Sequence, residues 1–157
     1  MLDCDRFHAD QQRPCIFNRL ESARSMSFHS INGQEPRLSG QPCTGLVLQY
    51  FFDGSEIQVN VVHLRVTEQW HRLYFEAATV FWRMTETPEA GQNTELTYGL
   101  LLNDLKGVDG FVGHAIEEVK YRASEHGDIE VDIAFSSGRH LKIAYNADAD
   151  NALVVDN

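Results

Sequence analysis

Gly127-Asp128-Ile129-Glu130-Val131-Asp132-Ile133-Ala134-Phe135-Ser136-Ser137-Gly138-Arg139-His140-Leu141-Lys142-Ile143-Ala144-Tyr145 is the stretch that sets the fold class. Ile129, Val131, Ile133 and Phe135 alternate with Glu130, Asp132 and Ala134. Beyond a turn, Leu141, Ile143 and Tyr145 alternate with Lys142 and Ala144. Period-two alternation on both sides of a glycine-bearing turn predicts an antiparallel hairpin with one buried and one wet face. Keeping Leu141 on the face of Phe135 requires an odd-length loop, most simply Ser137-Gly138-Arg139, in which Gly138 supplies the positive φ that three-residue loops need. The same alternation places Glu130 and Asp132 on the wet face.

The pattern continues upstream. Leu46-Val47-Leu48-Gln49-Tyr50-Phe51-Phe52 is an apolar run between glycines, too short for most helices, and Asp53-Gly54 is a strong turn dipeptide. Ile57, Val59 and Val61 alternate, and then the phase moves to Val62, Leu64 and Val66, which predicts a β-bulge near Val61-Val62. Gln69–Phe75 and Thr79–Met84 read as a strand pair around Glu76-Ala77-Ala78. Leu96, Tyr98, Leu100 and Leu102 alternate again. Residues 114–124 are ambiguous: Ile116 and Val119 fit a helix, while Val119, Tyr121 and Ala123 fit a strand, and the neighbouring strands favour a strand with a bulge near Glu117-Glu118. Leu153-Val154-Val155 reads as a short final edge strand. The fold class expected is mainly β: a single antiparallel β-sandwich or partly open barrel, with a short irregular or helical N-terminal arm. Periodicity and charge both change near Thr44, dividing the chain into an arm and lead-in over 1–43 and a β domain over 44–157.

Charge narrows the partners. The net charge is −10. Residues 1–43 hold five acids and five arginines, whereas 44–157 hold eighteen acids and eight bases, so the β domain carries the whole excess. Such a field disfavours nucleic acid, which wants a basic stripe, and favours a basic protein partner through steering. No apolar run approaches the roughly 20 residues that cross a bilayer, so no membrane association is expected. Asp3, Asp5, His8 and Gln11 stand where a signal peptide would carry its apolar core, so the expected location is the cytoplasm.

Chemistry-bearing motifs are sparse. Cys4, His8 and Cys15 match no common zinc spacing; His63 and His71 could meet in space but bring no third ligand. Asn146-Ala147-Asp148-Ala149-Asp150-Asn151 lacks the glycine and closing glutamate of a calcium loop. There is no G-x-S-x-G elbow and no dinucleotide or phosphate-loop glycine pattern. The expectation is a protein without catalytic activity, metal or cofactor.

The most unusual patch lies in the pair around Ala77-Ala78. Pairing Phe75 with Val80 also pairs Tyr74 with Phe81, Leu73 with Trp82 and Arg72 with Arg83. One face then carries His71, Leu73, Phe75, Val80, Trp82 and Met84, a core face. The other carries Trp70, Arg72, Tyr74, Phe81 and Arg83, residue types that dominate binding hot spots. Trp70, Arg72, Tyr74 and Arg83, together with Glu130 and Asp132, are the candidate partner-binding residues. A plainer reading has these arginines stacking on neighbouring rings and pairing with the protein's own acids. A different function, a carrier of a small apolar ligand, would need a cavity between the sheets lined by Tyr50, Phe52, Trp82 and Tyr98.

Gly113-His114-Ala115-Ile116-Glu117-Glu118-Val119, followed by Ile129–Phe135 and by Gly138-Arg139-His140-Leu141-Lys142-Ile143, resembles small bacterial domains. Some of these domains, of unknown function, resemble immunity proteins of polymorphic-toxin and contact-dependent inhibition systems. The likeness covers about a third of the chain and rests on a strand, a short glycine turn and a second strand. The resemblance implies an acidic cytoplasmic protein that binds and blocks a cognate, basic toxin. The family has no fixed catalytic motif, so no site residue carries over.

Overall fold

The computed structural model describes residues 30–52, 54, 56–89 and 99–155. Its strands are β1 (Ser30–Asn32), β2 (Cys43–Phe52), β3 (Ile57–Val66), β4 (Gln69–Glu76), β5 (Thr79–Thr85), β6 (Gly99–Asp104), β7 (Ile116–Ala123), β8 (Ile129–Phe135), β9 (His140–Asn146) and β10 (Asn151–Val155), with one 3-10 turn at Leu105–Gly107. No α-helix occurs among the described residues. The strands run in the order β1-β5-β4-β3-β10-β9-β8-β7, while β2 takes the other edge of β3 and carries β6 in turn. All pairings are antiparallel except β1 with β5. The sheet is open and strongly curled, a half-barrel, which is the partly open barrel of the two architectures expected. The arm over residues 1–25 lies outside the described residues.

β3 makes the curl. One edge pairs with β2 along its length. The other edge pairs with β10 at Val59 and with β4 from Val62 to Val66. Between the two lies a register shift: Gln49 pairs with Val61 but Tyr50 with Val59, which leaves Asn60 as the extra residue. The bulge resets the phase, so both Val59 and Val62 point into the core. It lies one residue before the Val61-Val62 step where the sequence pattern breaks.

A second seam tightens the curl. The chain entering β2 and the chain entering β7 exchange backbone hydrogen bonds: Gly40 N to Ile116 O (2.7 Å), Ile116 N to Gln41 O (2.9 Å), Cys43 N to His114 O (2.9 Å) and Gly113 N to Cys43 O (2.8 Å). The lead-in expected to be irregular therefore belongs to the barrel wall, and it buries Leu38 and Cys43 in the core.

Trp82 fills the concave interior at 1% exposure. Its Nε1 donates to Tyr121 Oη (2.8 Å), which donates to Glu35 Oε1 (2.8 Å), so one chain of hydrogen bonds ties β5, β7 and the lead-in. A buried indole N–H left unpaired would cost about 1–3 kcal/mol. Farther along, Phe75 stacks on Tyr145 at 5.3 Å, and Tyr145 Oη donates to Asp150 (2.7 Å). The tip of the β4–β5 hairpin is thereby held against the end of β9.

Three local expectations need correction. The β8–β9 loop has three residues and Gly138 has a φ of +84°, as expected, but the loop is Ser136-Ser137-Gly138. Phe135 N bonds Arg139 O and Leu141 pairs with Ile133, because the glycine ends the loop rather than centring it. β10 is no edge: it lies between β9 and β3. Asp132 shares the outward face with Glu130, yet it is only 7% exposed, since neighbouring side chains cover it. The β7 bulge falls where expected, between Ile116 and Glu118.

Both hairpin turns flanking β4 hold non-glycine residues at positive φ: Thr67 (47°) with Glu68 (64°), and Ala77 (47°) with Ala78 (56°). These are two-residue turns of the kind that asparagine and glycine suit best. Replacing Thr67-Glu68 by Asn-Gly should raise stability by about 1 kcal/mol in a denaturant titration; a drop would show that the turn is unstrained. A Cβ at Gly138 would meet nothing within 4 Å, so substitution there tests backbone strain alone. Gly138→Val should cost about 1–3 kcal/mol and Gly138→Asn clearly less. Equal losses in the two variants would contradict the turn geometry.

Candidate functional site

The convex face of β4 and β5 assembles four of the predicted residues as the sequence pairing requires. Tyr74 lies opposite Phe81 and Arg72 opposite Arg83. The Tyr74 and Phe81 rings stack at 4.9 Å with 12° between their planes. Arg72 lies 5.4 Å over the Tyr74 ring and Arg83 5.3 Å over Phe81. Each guanidinium thus rests on the ring two residues along its own strand, which lets two facing cations share one sheet face. Arg83 also donates to Asn32 O (2.8 Å) and Asn32 Oδ1 (2.6 Å) of β1. Arg72 has no carboxylate partner among the described residues. The arginines therefore stack on rings, as the plainer reading expected, but pair with no acid among the described residues. Trp70 is half-buried and lies across Gly45, where a Cβ would come within 2.7 Å of its ring. It is a lid on the sheet rather than a projecting anchor.

His63 pairs across the strands with Arg72 on this face and is 6% exposed. Gln49 Nε2 donates to Asn60 Oδ1 (3.0 Å), which turns Gln49 Oε1 toward His63 Nε2 (3.2 Å). The ring therefore donates from Nε2 and keeps a lone pair on Nδ1, a buried atom with no hydrogen-bond partner among the described residues. Burial, and secondarily the Arg72 charge, hold the His63 pKa below its ordinary value. His71 faces the concave side, so these two histidines do not meet. Among the described residues no group of three or more His, Cys, Asp and Glu could hold a metal ion. Cys4, His8 and Cys15 lie outside the described residues. Burial pushes the Cys43 thiol up to about 11, so the thiol is unreactive at neutral pH.

The carboxylates of β8 are already engaged. Glu130 pairs with Arg122. Asp132 accepts from His140 Nδ1 at 2.8 Å and lies between Lys120 and Lys142 on the neighbouring strands. Neither stands as an unpaired acid on a docking surface.

The carrier cavity expected around Tyr50, Phe52, Trp82 and Tyr98 is not assembled from those residues. Trp82 is packed into the core and Tyr98 lies outside the described residues. Tyr50 instead lines a cavity of 530 Å³ at one mouth of the half-barrel, with Ile57, Val59, Leu153, Arg139 and His140. At the other end, His71, Trp82, Arg83 and the 74%-exposed Met84 face the lead-in across a 730 Å³ cleft. Sequence reasoning missed the mouth because its walls come from strand ends. Ile57 and Leu153 carry the signal: each is apolar where its strand has run out of cover.

The depressed His63 pKa carries a pH consequence. Its folded value lies below the unfolded one of about 6.5, so its contribution to stability is complete above that pH and is lost as pH falls toward the folded value. The thermal midpoint should fall between pH 7 and pH 5, and His63→Gln, which can keep the Gln49 contact, should flatten that slope. An unchanged slope would show that His63 takes up its proton without penalty. No family model, no curated protein and no solved structure matches this chain.

Proposed function

We propose that the chain is a non-enzymatic protein-binding protein that docks its partner on the convex β4–β5 face, and that it acts as an immunity-type inhibitor of a basic toxin. One observation carries this reading: a stacked Arg72–Tyr74–Phe81–Arg83 ladder in which Arg72 has no carboxylate among the described residues although the protein bears ten excess negative charges. A guanidinium fixed on a ring is pre-organised and keeps its N–H edges available to a partner's carboxylate or carbonyl. The long-range negative field acts separately, by drawing a basic partner to the encounter.

The test is kinetic. A partner captured from lysate should be basic, and its on-rate should fall steeply between 50 and about 300 mM salt. Arg72→Ala and Tyr74→Ala should each raise the off-rate about tenfold or more, as hot-spot truncations do, while Glu130→Lys should leave it within about twofold. An acidic partner, or off-rates indifferent to Arg72 and Tyr74, would refute the reading.

A further inference from the structure

We propose that the mouth of the half-barrel is a binding site for an amphipathic monocarboxylate, its hydrocarbon chain on the apolar wall and its carboxylate at Arg139. This goes beyond protein docking and uses a different surface. The cavity of 530 Å³ is within the range of small-molecule sites. It opens where β10 leaves β3: Ala152–Val59 is the one register pair joining them, and beyond it Val154 and Ile57 both line the cavity. Ile57 (55% exposed) and Val108 (40%) line it together with Val154, three apolar residues at one concavity. Scattered singly they would need no explanation; gathered in a concave site they mark one that accepts hydrocarbon.

The polar end of the cavity is built from packed groups. The Arg139 stem crosses Gly110, whose φ of +92° and missing Cβ leave it room. The guanidinium then lies 4.9 Å over the Phe111 ring, itself buried edge-on against Phe135 at 5.1 Å. Arg139 has no carboxylate partner among the described residues. His140, the next residue, turns to the outward face, where its Nδ1 bonds Asp132, so Arg139 is the cation at this end of the cavity. One guanidinium fork matches a single carboxylate. The remainder of the wall, with Leu48, Tyr50 and Val59, offers hydrocarbon contact.

Calorimetric titration of the full chain with hexanoate, octanoate, decanoate and decanol tests this. Decanoate should bind saturably at one site, and each methylene removed should weaken binding roughly fourfold, the factor for one buried CH₂. Arg139→Gln should weaken decanoate about tenfold or more and leave decanol within about twofold, which also shows that the variant is folded. Ile57→Glu should weaken both ligands. Arg72→Ala should weaken neither, which separates this site from the docking face. Absence of saturable decanoate binding, affinity independent of chain length, or equal effects of Arg139→Gln on acid and alcohol would each overturn the proposal.

Discussion

The bulge at Asn60 is the constraint on which the other features depend. A strand has two edges, and β3 must serve three partners. It does so by changing phase at one extra residue, so that β10 claims the edge at Val59 and β4 claims it from Val62. A bulge also adds local twist. The fork and the twist together send β4 and β5 over the β8–β9 hairpin, where Trp82 can reach Tyr121 and Phe75 can reach Tyr145. Both candidate sites follow from the same fork. The convex face outside β4–β5 is the outer side of the bend, and the mouth is the gap where β10 parts from β3.

That bend sets two energetic terms against each other on the convex face. Arg72 opposite Arg83 is unfavourable by the few tenths of a kcal/mol typical of like cross-strand pairs, up to about 1. Each stacking of a guanidinium on a ring returns about 0.5–1 kcal/mol at such exposure, and the Tyr74–Phe81 stack adds a further favourable term. The rings therefore offset the repulsion without any carboxylate. An exposed ion pair would have contributed no more than this and would have consumed the guanidinium edges.

Much of the fold could be read from the sequence because alternation reports faces directly. The β4–β5 register, the two bulges and the glycine turn were all legible in that way. Other features were not, each for a physical reason. Alternation gives the parity of a loop but not its register, so the β8–β9 turn could slide by one residue and keep every face intact. Thr67-Glu68 and Ala77-Ala78 carry no turn chemistry in their residue types, yet all four residues hold positive φ, with the Ala78 N–H donating to Tyr145 Oη. Asp132 lies outward by parity, yet whether an outward position is wet depends on its cross-strand neighbours, here two lysines and a histidine. The docking face was legible because it lies on two strands adjacent in sequence. The mouth gathers residues from 48 to 154 and depends on the fork, which no local pattern encodes.

The two candidate sites, on different surfaces, share one device. Arg72 on Tyr74 and Arg139 on Phe111 are both guanidinium groups laid on a ring, and neither has a carboxylate among the described residues. Three other bases do pair with carboxylates: Arg65 with Glu68, Lys120 with Glu118, Arg122 with Glu130. Ring stacking occupies the flat side of the guanidinium and leaves its N–H edge open, whereas a carboxylate would occupy the edge. Arg72 and Arg139, each laid on a ring with no carboxylate among the described residues, therefore keep their N–H edges for the anionic group that each proposal assigns them.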